Sequence, residues 1–376
     1  MKIVMTGGGT GGHFYPIIAV AEEIHRIVKE ERLLKVELFF MSDTPYNSRM
    51  LFENGITFKQ IYAGKLRRYF SLKNILDLPK TTLGILQALI DMYKLYPDVV
   101  FGKGGYASFP TLFAAKLLRI PVIIHESDST PGKVNAWAAS FAKRIAISYP
   151  EAAEYFPKEK VAYTGNPIRR EVLIPATEGA YEFLSLEKGV PVILIVGGSQ
   201  GAEIINDTLI DILPDLLNKY QVIHQTGRKN FKVVDDTTSL TLAEHPFKSR
   251  YRPFDYLNDV ALKMAAGAAR LIISRAGSSI FEIATWGIPS IIIPIGEAVS
   301  HDQEKNAYNY SRTGACVVME ENNLTPHILL SEINRLFENE PEMERMKTAA
   351  KSFAKVDAAE KIAKEILTLA LEHEPA

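Results

Sequence analysis

Ile3-Val4-Met5-Thr6-Gly7-Gly8-Gly9-Thr10-Gly11-Gly12-His13 runs from a short apolar segment into five glycines within six positions, and residues 17–28 then repeat apolar side chains at helical spacing. A strand that ends in a glycine turn and opens a helix lets backbone N–H groups approach an anion, with the positive end of the helix dipole behind them. The same scheme returns at residues 190–202, where an apolar run leads into Gly197-Gly198-Ser199-Gln200-Gly201-Ala202. The recurrence lies about half the chain apart, and no repeat of 20–50 residues is visible. The pattern predicts an α/β chain of two similar nucleotide-type domains, each a doubly wound parallel sheet.

Outward from these turns, short β-branched runs alternate with helical patterns. Strands are predicted at 2–5, 36–41, 99–101, 122–125 and 144–147, then at 190–196, 220–225, 271–274, 290–294 and 315–319. Continuous apolar strands between helices denote a parallel sheet covered on both faces. Length agrees, since 376 residues suit two domains at roughly 100–200 residues each. Gly165-Asn166-Pro167 and Pro175 punctuate the pattern, which puts the boundary within 163–177 and the hinge near Gly165. The expected division is 1–165 and 166–354, with a long helical pattern over 341–371 whose end, about 355–376, packs back on the first domain.

Composition excludes several classes. A net charge of -1 and a pI near 6.7 provide no global field for DNA or RNA, whose binding rests on counterion release at a basic face. The single Cys316 rules out an internal disulfide framework or a cysteine-rich zinc site and suits a reducing compartment. No Asp-x-Asp pair and no His-Glu-x-x-His occurs, so no metal and no cofactor is expected. The N-terminus lacks the apolar stretch of a signal peptide, and the longest apolar runs fall short of the roughly 18–20 residues of a membrane span.

Several residues stand out chemically. His13 opens a helix, where a cation is disfavoured and a neutral imidazole can accept a proton, although a capping or packing role reads as well. Gly102-Lys103-Gly104-Gly105-Tyr106 ends another strand and makes a second glycine loop. His125-Glu126-Ser127-Asp128 closes a third, which places polar groups at the carboxyl edge of the sheet, where such folds bind ligands. Asp43, after the second strand, keeps a dinucleotide reading open as the ribose-binding acid, whereas a Walker loop is excluded for want of Gly-Lys-Ser/Thr. In the second half, Ser274-Arg275-Ala276-Gly277 precedes Glu282, which either caps its helix or accepts a ribose diol. Residues 54–76 carry Lys59, Lys65, Arg67, Arg68 and Lys73 with no acid, among Tyr69, Phe70 and other apolar side chains. That composition suits an anionic membrane surface.

Taken together, the glycine turn ending in His13, Gly104-Gly105-Tyr106, His125-Glu126, Gly165-Asn166-Pro167-Ile168-Arg169, the turn 197–202 and Ser274-Arg275-Ala276-Gly277 resemble the MurG family of glycosyltransferases (glycosyltransferase family 28) in order and spacing. The resemblance spans nearly the whole chain. It implies a GT-B fold, two Rossmann-like domains facing a cleft, and metal-independent inverting transfer of GlcNAc from UDP-GlcNAc to the C4 hydroxyl of the muramoyl sugar of lipid I. The product is lipid II, a peptidoglycan precursor, and the place is the cytoplasmic face of the bacterial membrane, with other cell-wall synthesis proteins as partners. UDP-GlcNAc contacts would fall on Thr10, Gly11, Gly12, Asn135, Arg169, Ser199, Gln200, Gly201, Glu282 and Gln303. Gly11, Gly12, Gly104, Gly105 and Tyr106 would face the acceptor diphosphate, with His13 as base and Glu126 as its understudy. Where the family usually reads His-Glu-Gln-Asn, this chain has Ser127-Asp128 after His125-Glu126. A GT-B enzyme with another lipid acceptor, such as diacylglycerol, is the enzymatic alternative. A dinucleotide-dependent oxidoreductase and a non-catalytic nucleotide sensor represent other classes.

Overall fold

The computed structural model describes residues 1–33, 35–64, 72–197, 202–296 and 301–373. The chain divides into two units, Met1–Arg169 with Lys355–Ala376, and Arg170–Ala354. The first holds strands β1 Lys2–Thr6, β2 Glu37–Ser42, β3 Ile56–Gln60, β4 Val99–Gly102, β5 Val122–Glu126, β6 Arg144–Ile147 and β7 Val161–Tyr163 in the spatial order β3-β2-β1-β4-β5-β6-β7. Every pair is parallel. The second holds β8 Val192–Val196, β9 Gln221–Gln225, β10 Tyr251–Phe254, β11 Ala269–Ser274, β12 Ser290–Ile292 and β13 Cys316–Val318, also parallel, in the order β10-β9-β8-β11-β12-β13. Both are doubly wound sheets of the Rossmann type, as the twice-repeated strand and glycine turn predicts.

The central strands are apolar on both faces because helices cover both. Ile3, Val4 and Met5 of β1 are wholly buried, as are Val99, Val100 and Phe101 of β4. Three strands escape the sequence reading, β3, β7 and β10, and all three end their sheets. An edge strand buries only part of its surface, so it need not carry the continuous apolar run; β13, at the other edge of the second sheet, keeps one and is the edge strand that the sequence shows. Pro253 sits in β10 for the related reason that an edge position tolerates a missing N–H.

The helical pattern over 341–371 is broken. One helix, Glu340–Phe353, belongs to the second unit, and another, Ala358–His373, to the first. Between them Ala354 adopts extended geometry, with ψ of 137°. The last helix packs on the helix Gly11–Glu30, and its Ile362, Ala363, Ile366 and Leu367 enter the core with Ile3, Met5 and Ile17. Arg26 pairs with Glu360 at 3.3 Å across that contact, and Arg144 of β6 pairs with Glu365 at 2.7 Å. These pairs are partly exposed and add little, whereas truncating the buried Ile366 to Ala would cost about 2–5 kcal/mol.

Candidate functional site

In the first unit the strand order reverses beside β1, whose neighbours are β2 and β4. Ligands of open α/β sheets bind outside the carboxyl ends of the strands at such a point. The register pairs Thr6 with Gly102, so the two glycine loops leave the sheet level with each other. The Lys103 N–H donates to the Thr6 carbonyl at 2.8 Å and continues that pairing one step beyond the strands. Gly105 has φ of +81°, and a Cβ there would stand 2.7 Å from the Gly8 carbonyl oxygen, so only glycine lets the second loop lie against the first. At Gly104, with φ of +87°, a Cβ would meet the Asn135 amide at 2.9 Å.

Side chains fasten this pair of loops. The Ser42 hydroxyl donates to the Gly7 carbonyl at 2.8 Å, and the Tyr106 hydroxyl donates to the Asp43 carboxylate. Asp43 therefore holds the second loop through one carboxylate oxygen. Thr10, extended at the start of the helix Gly11–Glu30, has its hydroxyl 3.1 Å from His13 Nδ1 and caps no helix amide. Gly11 is buried and Gly12 half-buried in that first turn. The His13 imidazole is pushed down to about 3, first by desolvation and then by the Lys103 ammonium, against the opposing pull of the Gly8 carbonyl. It is neutral at working pH, and a neutral ring has one nitrogen able to take a proton.

At the next strand the polar residues lie deeper than a rim position implies. His125 is wholly buried, with Nε2 3.0 Å from the Gly165 carbonyl and 3.2 Å from the Ser148 hydroxyl, and burial holds it far below its ordinary value. It joins β5 to the segment after β7 and is not part of the open edge. Glu126 is buried too, and its carboxylate accepts the Asp128 N–H at 3.1 Å, the Gly132 N–H at 3.0 Å and the Asn135 amide at 2.9 Å. Burial and the neighbouring Asp128 push its pKa up, while the Asn135 amide and Lys103 pull it down. A carboxylate occupied by three donors organises the 127–135 loop. Asn135 also donates to the His125 carbonyl at 3.0 Å, and among the described residues its buried Oδ1 has no hydrogen-bond partner. The Arg169 guanidinium lies 4.5 Å over the Tyr15 ring.

Lys103 is the residue that sequence reasoning passed over. Its side chain is 1% exposed and, among the described residues, its ammonium has no hydrogen-bond partner. The available signal was a lysine between two glycines at the end of a fully apolar strand, a place where a cation must be enclosed.

In the second unit β8 and β11 end in register, Val196 opposite Ser274, so the chain leaves both strands at the same level of the sheet. Ser199, Gln200 and Gly201 lie outside the described residues. Glu282 is half-buried in the first turn of the helix Ser279–Trp286. Arg275 donates to the Ile293 carbonyl at 3.1 Å and pairs with Glu321 at 2.6 Å, and Glu321 in turn accepts the Gly296 N–H at 3.1 Å. Gln303 accepts the Ile295 N–H at 3.2 Å, so its amide also anchors the chain after β12. An open hollow lined by Ala202, Asn230, Arg275 and Glu321 occupies this carboxyl edge.

Of the basic patch, Lys65, Arg67, Arg68, Tyr69 and Phe70 lie outside the described residues, and Lys73 falls on the helix Leu72–Leu95 with its side chain undescribed. Among the described residues no helix is long and apolar enough to cross a membrane, and no group of three His, Cys, Asp or Glu is placed to hold a metal ion.

The N-terminal domain model of glycosyltransferase family 28 matches residues 3–147, and the C-terminal domain model matches residues 192–362. A Bacillus cereus relative, UDP-N-acetylglucosamine–N-acetylmuramyl-(pentapeptide) pyrophosphoryl-undecaprenol N-acetylglucosamine transferase 2, is 38% identical over 367 residues, 97% of this chain and 99% of its own. The transferase of the same name from Halalkalibacterium halodurans, without the numeral, is 36% identical over 96% of this chain and 98% of its own. The crystal structure of MurG from Acinetobacter baumannii shares the fold, with a TM-score of 0.72 at 24% identity, covering 98% of this chain and 99% of that one.

Proposed function

The chain belongs to glycosyltransferase family 28, and from that premise we propose that the paired glycine loops of its first unit, with His13 between them, form the site where the acceptor hydroxyl is activated. The reaction is inverting transfer of GlcNAc from UDP-GlcNAc to the C4 hydroxyl of the muramoyl sugar of lipid I, giving lipid II and UDP.

In a single displacement the acceptor oxygen attacks the anomeric carbon as the bond to UDP breaks. The hydroxyl proton must leave, and negative charge grows on the departing diphosphate. His13 takes the proton in this reading. It is held neutral by its surroundings and oriented through Nδ1 by the Thr10 hydroxyl. That conjunction, a neutral imidazole at the opening of a helix between two backbone anion cradles, is the observation that carries the proposal. Glu126 supports from behind by fixing the 127–135 loop and Asn135. The Glu282 carboxylate would accept the ribose diol, and Gln303, the Arg169 guanidinium and the amides of 197–202 would hold the rest of UDP-GlcNAc and neutralise its diphosphate without a metal ion.

The acceptor is a lipid, and the helix Leu72–Leu95 supports a peripheral mode of reaching it at the cytoplasmic membrane face. Leu83, Leu86, Ile90 and Tyr93 are each more than half exposed and recur at three- and four-residue spacing, with the exposed Tyr62 also lining the hollow beside Leu83 and Ile90. An apolar helical stripe following a basic stretch is the composition of an interfacial contact.

Incubation of the full chain with radiolabelled UDP-GlcNAc and either lipid I or diacylglycerol tests the reading. Label should enter lipid I alone. Transfer to diacylglycerol with none to lipid I would replace the acceptor.

A further inference from the structure

Lys103 is an expensive residue for the fold to keep. Among the described residues its buried ammonium has no hydrogen-bond acceptor, although an enclosed cation ordinarily acquires a partner or gives up its charge. The carboxylate that would naturally receive it, Glu126, is already occupied by Asp128, Gly132 and Asn135 donors. The loop 7–12 lies directly against it, since a Cβ on Gly7 would be 3.1 Å from Lys103 Cβ. Its charged surroundings are His13 from the first helix, His125 and Glu126 from β5, and Asp128 from the turn beyond; the Tyr106 to Asp43 pair fastens the same loop.

We propose that Lys103 is a positioning residue that couples the arrival of an anionic acceptor at the glycine loops to proton uptake by His13. The inference rests on the functional reading above and deepens it. Before the acceptor binds, the ammonium repels a proton from His13. A phosphate oxyanion settling on the loops supplies the partner that Lys103 lacks and cancels its field, so the imidazole becomes a stronger base once the hydroxyl it must deprotonate is present. Desolvation draws the Lys103 pKa down to about 8, with Glu126 and Asp128 pulling back, so the charge persists at neutral pH. Phosphate on the lipid acceptor and free pyrophosphate offer the same chemistry, and the test separates them.

Calorimetry with inorganic pyrophosphate on the full chain, without UDP, reads anion binding independently of turnover. Lys103→Met should weaken pyrophosphate binding at least tenfold, and Lys103→Arg, which keeps the charge, should recover most of it. Equal binding by the parent and Lys103→Met overturns the proposal, whether or not lipid I is a substrate. The second readout is the pH profile with lipid I. The acid limb of kcat, which reports the bound state, should lie at higher pH than that of kcat/KM, which reports the free enzyme. In Lys103→Met the two limbs should converge, with the kcat/KM limb moving up. Limbs that stay apart in a folded Lys103→Met protein would show that the ammonium does not act on His13. Pyrophosphate binding lost in Lys103→Met with unchanged limbs would reduce Lys103 to an anion contact and likewise overturn the coupling.

Discussion

The Tyr106 hydroxyl donates its hydrogen bond to the Asp43 carboxylate and so ties the loop after β4 to the end of β2, across the strand that separates them. The acid that would grip a ribose in a dinucleotide-binding protein is here a fastener for the second glycine loop. Tyr106→Phe keeps the ring over Gly9 and removes only that fastening. Loss of a half-buried hydrogen bond to a carboxylate should lower stability by about 1 kcal/mol and raise the lipid I KM several-fold, with the UDP-GlcNAc KM little changed. UDP should raise the melting temperature of the parent and NAD should not. A shift with NAD would restore the dinucleotide reading of Asp43.

His224 gives the second unit a pH signature. It is wholly buried between the Tyr251 hydroxyl at 2.9 Å and the Asn206 side-chain oxygen at 3.0 Å, and desolvation pushes it down to about 3. The folded state refuses a proton that the unfolded chain accepts near 6.5. Its contribution to stability is therefore complete above that value and is lost as pH falls from 6.5 toward 3. Between pH 6.5 and 5 the loss is about 2 kcal/mol for one proton. Chemical denaturation at both values should show a smaller pH dependence for His224→Gln than for the parent, by about that amount. Equal dependence would mean that His224 takes its proton within the fold.

Glu282 distinguishes a ligand-binding carboxylate from a helix-start residue. If it accepts the ribose diol, Glu282→Ala leaves buried hydroxyls unpaired at about 1–3 kcal/mol, enough to raise the UDP-GlcNAc KM at least tenfold. Steady-state kinetics with a folded variant decide it, since an unchanged KM leaves only a role at the helix terminus.

Membrane contact should respond to both halves of the proposed surface. Attraction between basic residues and anionic lipid is screened over about 8–10 Å at ordinary salt, so vesicle binding should weaken as salt rises. Reversing Lys65, Arg67, Arg68 and Lys73 together should abolish it on anionic vesicles. Leu83→Asp with Ile90→Asp should weaken it at any salt. Binding unaffected by either set would place the contact elsewhere.

What the sequence discloses follows from what each residue must satisfy locally. The central strands are legible because burial on both faces demands unbroken apolar runs; the edge strands β3, β7 and β10 are obscure because their partly exposed surfaces let polar residues in, whereas the edge strand β13 keeps an apolar run and is legible. The glycine turns and His13 stand out because strand, glycine turn and helix are consecutive in the chain. Glu126 is legible only as a polar group at the end of an apolar strand and Lys103 has no legible role, since the burial of both is made by other segments. Lys103 is enclosed only once β4 pairs with β1, and Glu126 acquires its three donors only when residues 128–135 fold back over it. The long pattern over 341–371 misleads for a similar reason, since both helices share one composition while their packing partners lie in different units.

In the proposed reaction His13 removes the proton from the acceptor hydroxyl. The most direct measurement is lipid I turnover by His13→Ala alongside UDP binding by calorimetry. Loss of a general base costs about 10²–10⁴ in rate, so kcat should fall by that order while UDP affinity stays within a few-fold of the parent. Full turnover in the variant would contradict the account, and loss of UDP binding in proportion to turnover would make His13 a holder of the glycine loop instead of the base.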